Sequence, residues 1–442
     1  MLTKIATSLL LVCLLLSDIA QAQITAGTGQ TNITPPLGTP LVGYYLERKA
    51  TDVHDDLLVK AIVLKDRSKS IAIIVVDLLD VDQLAFNSAR KRIAEELGIP
   101  YESISISATH THTGPEFDPE YTRFLTTRIF DAVKIASQNQ QEVVVKSGSG
   151  REENVSFHRR FLMKDGTVKF NPGPLNPDIV RPMGPIDPEV GILLLETKTG
   201  ETLAVMVNFA IHLDTVGGTI ISADFPGYLS DILKTVLGEE TMVMFGLGTC
   251  GNINHFNVRS PETLKGFGRT ERIGYALAAS VIRELPALER VDVDNIKVGH
   301  EYLKLEIPKY TKKQVELAKV NAKKESDHES STPEIREAMK ILRVNEREGK
   351  PIEVEVQTFG LGDIGIVTLP GEIFVELGLD IKKKSPFKHN FILTLANNKL
   401  GYVPNAEAFS YGAYEVEVSN IEAGQGERLA TTAVGLLDKM HK

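Results

Sequence analysis

The chain has 442 residues, and its 49 Lys and Arg against 58 Asp and Glu give a formal net charge of −9. This balance argues against nucleic acid as a partner, and the length suffices for one large domain with a substantial hydrophobic core. Of the two cysteines, only Cys250 lies outside the N-terminal segment, so we expect no internal disulfide.

The N-terminus has the features of a signal peptide. Lys4 precedes an apolar run at residues 9–16, and Ala20-Gln21-Ala22 matches a small-x-small cleavage site. We therefore predict that residues 1–22 are removed on export and that the mature protein, residues 23–442, is periplasmic or secreted. No later stretch is apolar enough for a membrane helix, so we predict no transmembrane helix in the mature chain.

Strand-like and helix-like segments alternate along most of the remaining chain. This pattern predicts an α/β fold with a mixed, mainly parallel central sheet flanked by helices. The predicted strands cover residues 71–77, 102–106, 203–211, 242–245, 352–367 and 391–395. The predicted helices cover residues 82–97, 121–137, 228–237, 269–284 and 427–439.

Residues 310–350 differ from the rest because they are rich in Lys and Glu and hold few large apolar side chains. We predict a small charged helical insertion here, a helical pair or hairpin attached to the core. A solvated helical face is the favoured interpretation of such a charge pattern. The mature chain is therefore predicted to form one domain, 23–442, with this insertion.

The segment Ser107-Ala108-Thr109-His110-Thr111-His112-Thr113-Gly114-Pro115 follows a predicted strand. Side chains alternate along a strand, so His110 and His112 point the same way. Two convergent imidazoles suit a metal site or a proton-transfer site. The alternative is a surface loop that happens to hold two histidines.

Other polar residues also lie where predicted strands end, which is where open α/β sheets bind ligands. His212 ends the strand 203–211, Glu372 follows the strand 352–367, and Tyr402 follows the strand 391–395. Singly, each has a structural interpretation: a core histidine, a helix N-terminal charge and a packed tyrosine. Their shared position makes a joint site plausible.

Ala108-Thr109-His110-Thr111-His112-Thr113-Gly114-Pro115 resembles the signature of the neutral/alkaline ceramidases, a family of zinc amidases. Further matches to this family follow in the same order through roughly residues 25–440. They are the segments 33–36, 43–44, 157–160, 222–228, 370–372, 401–402 and 414–415.

The resemblance implies a Zn²⁺ ion held by His110, His212, Glu372 and Tyr402. Imidazole and carboxylate are ordinary zinc ligands, and a tyrosine oxygen is an acceptable but rarer one. The resemblance also gives catalytic roles to residues around the metal. It implies that His112 takes part in oxyanion or proton chemistry and that Arg159 and Tyr414 face the scissile group.

One motif departs from the family. Ceramidases carry Gly-Asp-Val-Ser-Pro-Asn with an essential serine, whereas this chain reads Gly251-Asn252-Ile253-Asn254-His255-Phe256. Asn254 has no ionisable group and cannot be a nucleophile, but it can donate to a carbonyl or oxyanion. The chain also lacks the C-terminal immunoglobulin-like domain typical of these enzymes, so we interpret it as a short relative.

These observations predict an exported zinc-dependent hydrolase that cleaves the amide of an N-acyl lipid or N-acyl amino sugar with metal-activated water. The alternatives are an ester or lactone as the target, or a non-catalytic binding protein. The partner is a small-molecule or lipid substrate, and the sequence leaves the oligomeric state open. Cys250 is either a nucleophile paired with His255 or a packed thiol, and His54 either lines the site or lies on the surface.

Overall fold

The computed structural model describes residues 24–261, 265–323 and 332–442. The predicted signal peptide, residues 1–22, lies outside the described residues. Within the described ranges, no helix combines the length and apolar character needed to cross a membrane.

A large sheet forms the centre of the molecule. Its strands are β1 Thr25–Asn32, β2 Leu58–Lys65, β3 Ser70–Val76, β4 Ile104–Ala108, β5 Gln141–Arg151, β6 Glu189–Thr197, β7 Thr202–Phe209, β8 Met242–Leu247 and β9 Glu289–Val291. The strand order is β8-β7-β6-β5-β1-β2-β3-β4, and β9 pairs with β5. The expected mixed central sheet flanked by helices is therefore confirmed.

The expected predominance of parallel strands is wrong. Only the two outermost pairings of the described strand order are parallel, β7 with β8 and β3 with β4. The pairings between them are antiparallel. The reason is that the sequence pattern did not predict strands β1, β2, β5 and β6. Two of them, β2 and β6, form antiparallel hairpins with the next strand along the chain.

A second sheet packs across the first. Its strands are β10 Ile296–Leu305, β11 Ile352–Leu361, β12 Ile364–Thr368 and β13 His389–Leu393, in that spatial order. Phe359, Ile366 and Phe391 share a buried apolar layer with Ile62 and Leu193 of the central sheet. This layer holds the two sheets face to face.

Helices cover the outer faces of both sheets. They are α1 Gln83–Leu97, α2 Pro119–Gln138, α3 Phe225–Leu237, α4 Phe267–Glu284, α5 Lys312–Asn321, α6 Pro333–Asn345, α7 Val375–Lys384, α8 Tyr414–Val418 and α9 Gln425–His441. Helices α1 to α4 share a core with the central sheet, and α7 and α9 share one with the second sheet. The predicted helices are confirmed, and so is the helical pair α5–α6 within residues 310–350.

The central sheet curls until its edges meet. Edge strand β8 contacts β3 and β4, although these strands stand at the opposite end of the strand order. The chain after β13 closes the gap, because Thr394 N donates to Leu247 O and Ala108 N donates to Leu395 O. Closure brings the C-terminal ends of β4 and β7 together.

A buried ion pair ties α1 to the second sheet. Nη1 of Arg90 lies 2.6 Å from Oε2 of Glu355, and both side chains are almost fully buried. Asn397 donates to the same carboxylate and accepts from the backbone N of Ile106 in β4. This network of Arg90, Glu355 and Asn397 connects α1, β4 and β11 at one point.

We expect Arg90→Met to lower the free energy of unfolding by about 3–5 kcal/mol, because it leaves the Glu355 carboxylate buried without its cation. Urea denaturation measures this change. The matched control is Lys91→Met on the same helix, where the exposed pair with Glu95 is worth no more than about 0.5 kcal/mol. Equal effects of the two substitutions would show that the buried pair of Arg90 and Glu355 contributes no more to stability than the exposed pair.

Candidate metal and active site

Two histidines meet where the curled sheet closes. His110 follows β4 and His212 follows β7, and their Nε2 atoms lie 3.1 Å apart. The backbone of His110 has φ 79°, a conformation that non-glycine residues rarely adopt. The Nδ1 of His110 lies 2.5 Å from the carbonyl oxygen of Leu79. If Nδ1 donates its proton there, the lone pair of Nε2 faces His212.

Glu372 and Tyr402 reach the same point from the second sheet. They stand opposite each other on a short parallel ribbon, Glu372–Ile373 with Tyr402–Val403. Gly371 before the ribbon has φ 80°, and a Cβ there would lie 2.3 Å from the carbonyl oxygen of Gly401. Only glycine fits this turn, and the turn places the Glu372 carboxylate beside His110.

Two distances at His110 fit a metal ion. Nε2 of His110 lies 3.4 Å from Oε2 of Glu372 and 3.1 Å from Nε2 of His212, whereas the His212 nitrogen that lies 3.8 Å from this oxygen is Nδ1, which also faces Arg159. Ligand atoms around a tetrahedral zinc ion stand about 3.3 Å apart. Oε2 of Glu372 is buried and makes no hydrogen bond within the described part of the chain. A buried carboxylate oxygen without a donor is costly unless a cation meets it.

The charges of these residues are strongly coupled. Burial opposes ionisation of Glu372, but His110 and Arg159 outweigh it and lower the pKa of the carboxyl below its ordinary value. Burial also opposes charging of His110, but Glu372 raises its pKa above the ordinary value. The pKa of His212 is far below normal because of burial and the nearby Arg159. A carboxylate and a neutral imidazole are the forms that bind metals.

His112 faces the same cluster from the side. Its Nδ1 lies 3.1 Å from the carbonyl oxygen of Gly43 and 3.8 Å from Oδ1 of Asp214. Tyr44 donates to Asp214, and Lys265 contacts both at 2.8 and 3.0 Å. Burial lowers the pKa of His112 to about 4. Its Nε2 is buried with no hydrogen-bond partner among the described residues, so it is a further candidate metal ligand.

Arg159 is held behind the cluster by a buried charge network. Its Nε lies 2.9 Å from Oε1 of Glu415, and its Nη2 donates to the carbonyl oxygen of Gly251. Nη1 lies 3.2 Å from Nδ1 of His212. Arg160 binds the other oxygen of Glu415 at 2.7 Å. Sequence reasoning gave Glu415 no role, although it adjoins Tyr414 in the matched pair 414–415.

The cluster opens into a cavity of about 850 Å³. Five of the eight predicted site residues line it, namely His110, His112, Glu372, Tyr402 and Tyr414. His212 and Arg159 lie against these residues from behind. Burial raises the pKa of Tyr402 and of Tyr414, which keeps both hydroxyls protonated in the metal-free protein.

Asn254 does not join the predicted site residues that line the cavity. Its Nδ2 donates to Asn171 at 2.8 Å, and its Oδ1 accepts from the backbone N of Phe256. It is absent from the residues that line the cavity in the described structure. The amide thus supports its own loop instead of meeting the other predicted site residues.

Cys250 and His54 each follow the simpler of their two interpretations. Cys250 is fully buried near His212 and Glu372, and burial raises the pKa of its thiol, so it is a packed thiol and not a ready nucleophile. His54 stacks on Phe267 with ring centroids 4.1 Å apart and is exposed. It lies on the surface, away from the residues that line the cavity.

The matched segment 222–228 has a structural role. Asp224 begins helix α3 and accepts from the backbone N of Thr215 and Val216, at 2.9 and 3.1 Å. These bonds fix the loop that follows His212. Ser222 O in turn accepts from Thr111 and Thr113, on either side of His112. The segment therefore holds both histidine loops in place.

Comparisons with known proteins identify chains that are similar to this one in sequence and in fold. The chain is 24% identical over 253 residues to neutral ceramidase of Pseudomonas aeruginosa. The crystal structure of that enzyme matches with a TM-score of 0.74 at 18% identity, covering 94% of this chain and 74% of that chain. A solved ceramidase complexed with C2 matches with a TM-score of 0.76 and covers 95% and 75%. No family model matches the chain.

The chain is similar to neutral ceramidase in sequence and in fold. The resemblance drawn from the His-x-His segment is confirmed, and the shared fold extends over nearly all of this chain. The matched sequence spans 51% of this chain but only 36% of the length of the curated ceramidase.

We expect the purified protein to bind one equivalent of zinc, and His110→Ala to bind less than a tenth of that amount after dialysis against metal-free buffer. Removal of a ligand takes away a main contact of the ion. Elemental analysis by mass spectrometry measures the bound metal. His54→Ala removes a surface imidazole and is the matched control. Full zinc occupancy in His110→Ala would refute the assignment of this ligand.

Proposed function

We propose that this protein is an exported zinc-dependent hydrolase that cleaves the amide bond of an N-acyl substrate. The observation that carries the proposal is the convergence of His110, His212 and the undonated carboxylate oxygen of Glu372 beside a cavity. The similarity to neutral ceramidase supports amide hydrolysis as the reaction. Export rests on the signal-peptide features of residues 1–22.

Zinc would be held by His110, His212 and Glu372, with Tyr402 or His112 completing the set. When bound, the ion supplies a Lewis acid that polarises the amide carbonyl and activates water. Tyr402 contacts both Glu372 and Arg159, so its hydroxyl lies beside both the carboxylate and the guanidinium group. Arg159 keeps His212 in place through its guanidinium, which Glu415 anchors.

Two groups of the chain can handle protons and developing charge around the carbonyl. Tyr414 lines the cavity with a protonated hydroxyl, which can donate to the carbonyl oxygen or to the leaving amine. His112 lines it with an Nε2 that has no hydrogen-bond partner among the described residues; because burial lowers the pKa of His112 to about 4, this atom can accept a hydrogen bond but is a weak base. We assign no catalytic role to Asn254, because Asn171 and Phe256 occupy its amide.

The proposal is tested by incubating the zinc-loaded full-length protein with a panel of N-acyl amides, together with esters and lactones of matched acyl chains. Mass spectrometry detects the released acid and amine. We expect amides to be hydrolysed with the highest kcat/KM. Faster ester or lactone turnover would reassign the bond, and bound zinc without any turnover would favour a binding protein.

We expect Tyr414→Phe to lower kcat by about 10²-fold or more, because it removes one hydroxyl donor from the developing charge. Zinc content should not change. The matched control is Tyr411→Phe, since Tyr411 lies three residues away, is exposed and is absent from the residues that line this cavity. Equal kcat values for the two variants would remove Tyr414 from the mechanism.

A further inference from the structure

The end of helix α6 and the residues that follow it are part of the cavity wall and not only a solvated face. Arg336 of α6 lies 2.6 Å from the Glu417 carboxylate, and Lys340 donates to the carbonyl oxygen of Val416. Arg343 donates to Asn420 at 2.7 Å and to the carbonyl oxygen of Val418 at 3.0 Å. These bonds fix α6 against α8, the helix that begins with Tyr414.

The cavity has a cationic side. Its basic lining residues are Arg343, Arg347, Lys350 and Lys399, and its acidic lining residues apart from Glu372 are Asp80 and Glu346. Asp80 is already paired with Lys399 at 3.5 Å, and Lys350 is paired with Glu348 at 3.3 Å. Across the described ranges, no carboxylate lies within ion-pair distance of Arg343 or Arg347.

This local charge runs against the composition of the chain, whose formal net charge is −9. Arg347 is exposed, and one of its guanidinium nitrogens donates to the carbonyl oxygen of Pro351 at 3.3 Å. That bond tethers the side chain and leaves further N–H groups for a ligand. A guanidinium group suits carboxylate and phosphate because its parallel donors match two oxygens.

The rest of the lining is mixed. Its uncharged members include the apolar residues Leu79, Val344, Ile352, Leu400 and Val418 and the aromatic residues Tyr44 and Tyr45. An acyl chain can pack on this surface, while the cations stand on the exposed rim. The one cavity therefore joins the metal-ligand cluster, an apolar wall and a set of arginines.

We propose that the substrate is an anion, an N-acyl amide whose amine portion carries a carboxylate or a phosphate that Arg343 and Arg347 bind. The proposal rests on the proposed function and specifies its substrate class. A neutral N-acyl amino alcohol has no group that requires these arginines. The anionic group positions the scissile amide over the cluster of His110, His212 and Glu372.

The test compares three amides with the same dodecanoyl chain: N-acylglycine, N-acylphosphoethanolamine and the neutral N-acylethanolamine. Equilibrium binding to the full-length protein and kcat/KM are both measured. We expect either or both anions to exceed the neutral amide by about 10- to 100-fold, since charge-assisted hydrogen bonds have this strength. The two anions distinguish a carboxylate from a phosphate as the recognised group.

Arg347→Glu should abolish this preference, because it replaces a cation that binds the anionic group with a carboxylate that repels it. The matched control is Lys313→Glu, an exposed residue of α5 outside the cavity lining, which changes the net charge equally. The preference should also weaken as salt approaches about 1 M, where the Debye length falls to about 3 Å.

The outcomes separate the two proposals. Preferred binding of an anion without hydrolysis would support the cationic subsite and contradict the hydrolase. Equal binding of all three amides, or equal effects of Arg347→Glu and Lys313→Glu, would overturn the subsite even if the neutral amide is hydrolysed.

Discussion

The site depends on the closure of the curled central sheet. β4 and β7 are far apart in the strand order, yet each is followed by a histidine of the cluster. Thr394 and Leu395 hold the two edges together through backbone hydrogen bonds to Leu247 and Ala108. Backbone groups buried at this seam must be paired, so the closure is specific and not a loose contact. Thr394 and Leu395 directly follow β13 of the second sheet. The metal-ligand cluster therefore requires the second sheet.

The closure also concentrates charge in a buried volume. Glu372, Arg159 and Glu415 are all buried, and each lies beside a group of opposite charge. Glu415 binds Arg159 and Arg160 at once, so a single carboxylate sets the position of both guanidinium groups. The carboxylate oxygen of Glu372 remains without a donor in the described structure. Oε2 of Glu372 and Nε2 of His112 are thus two buried atoms of the described site without hydrogen-bond partners, as an ion site requires.

The cavity modifies what the relation to neutral ceramidase suggests. The loop of Asn254 differs from the serine motif, and the asparagine is turned into contacts with Asn171. The charged helical pair, on the other hand, is fixed over the site by Arg336 and Arg343. The catalytic cluster and the recognition surface thus come from different parts of the chain. We infer that the ligand cluster sets the chemistry and that Arg343 of α6 and Arg347, two residues beyond its end, set the substrate.

The sequence by itself determined the local features. Period-two and helical patterns predicted the edge strands and the helices. The segments around His110, His212, Glu372 and Tyr402 indicated a joint site, because each of them follows a predicted strand. Sequence could not reveal the antiparallel strands β1, β2, β5 and β6, and this led to the wrong expectation of a mainly parallel sheet. The tertiary structure alone decided that β4 and β7 meet, that Asn254 stays out of the cavity, and that five residues between 343 and 350 line it. These outcomes depend on contacts such as His110–His212, Asn171–Asn254 and Arg343–Asn420, between residues 102, 83 and 77 positions apart, which no local pattern encodes.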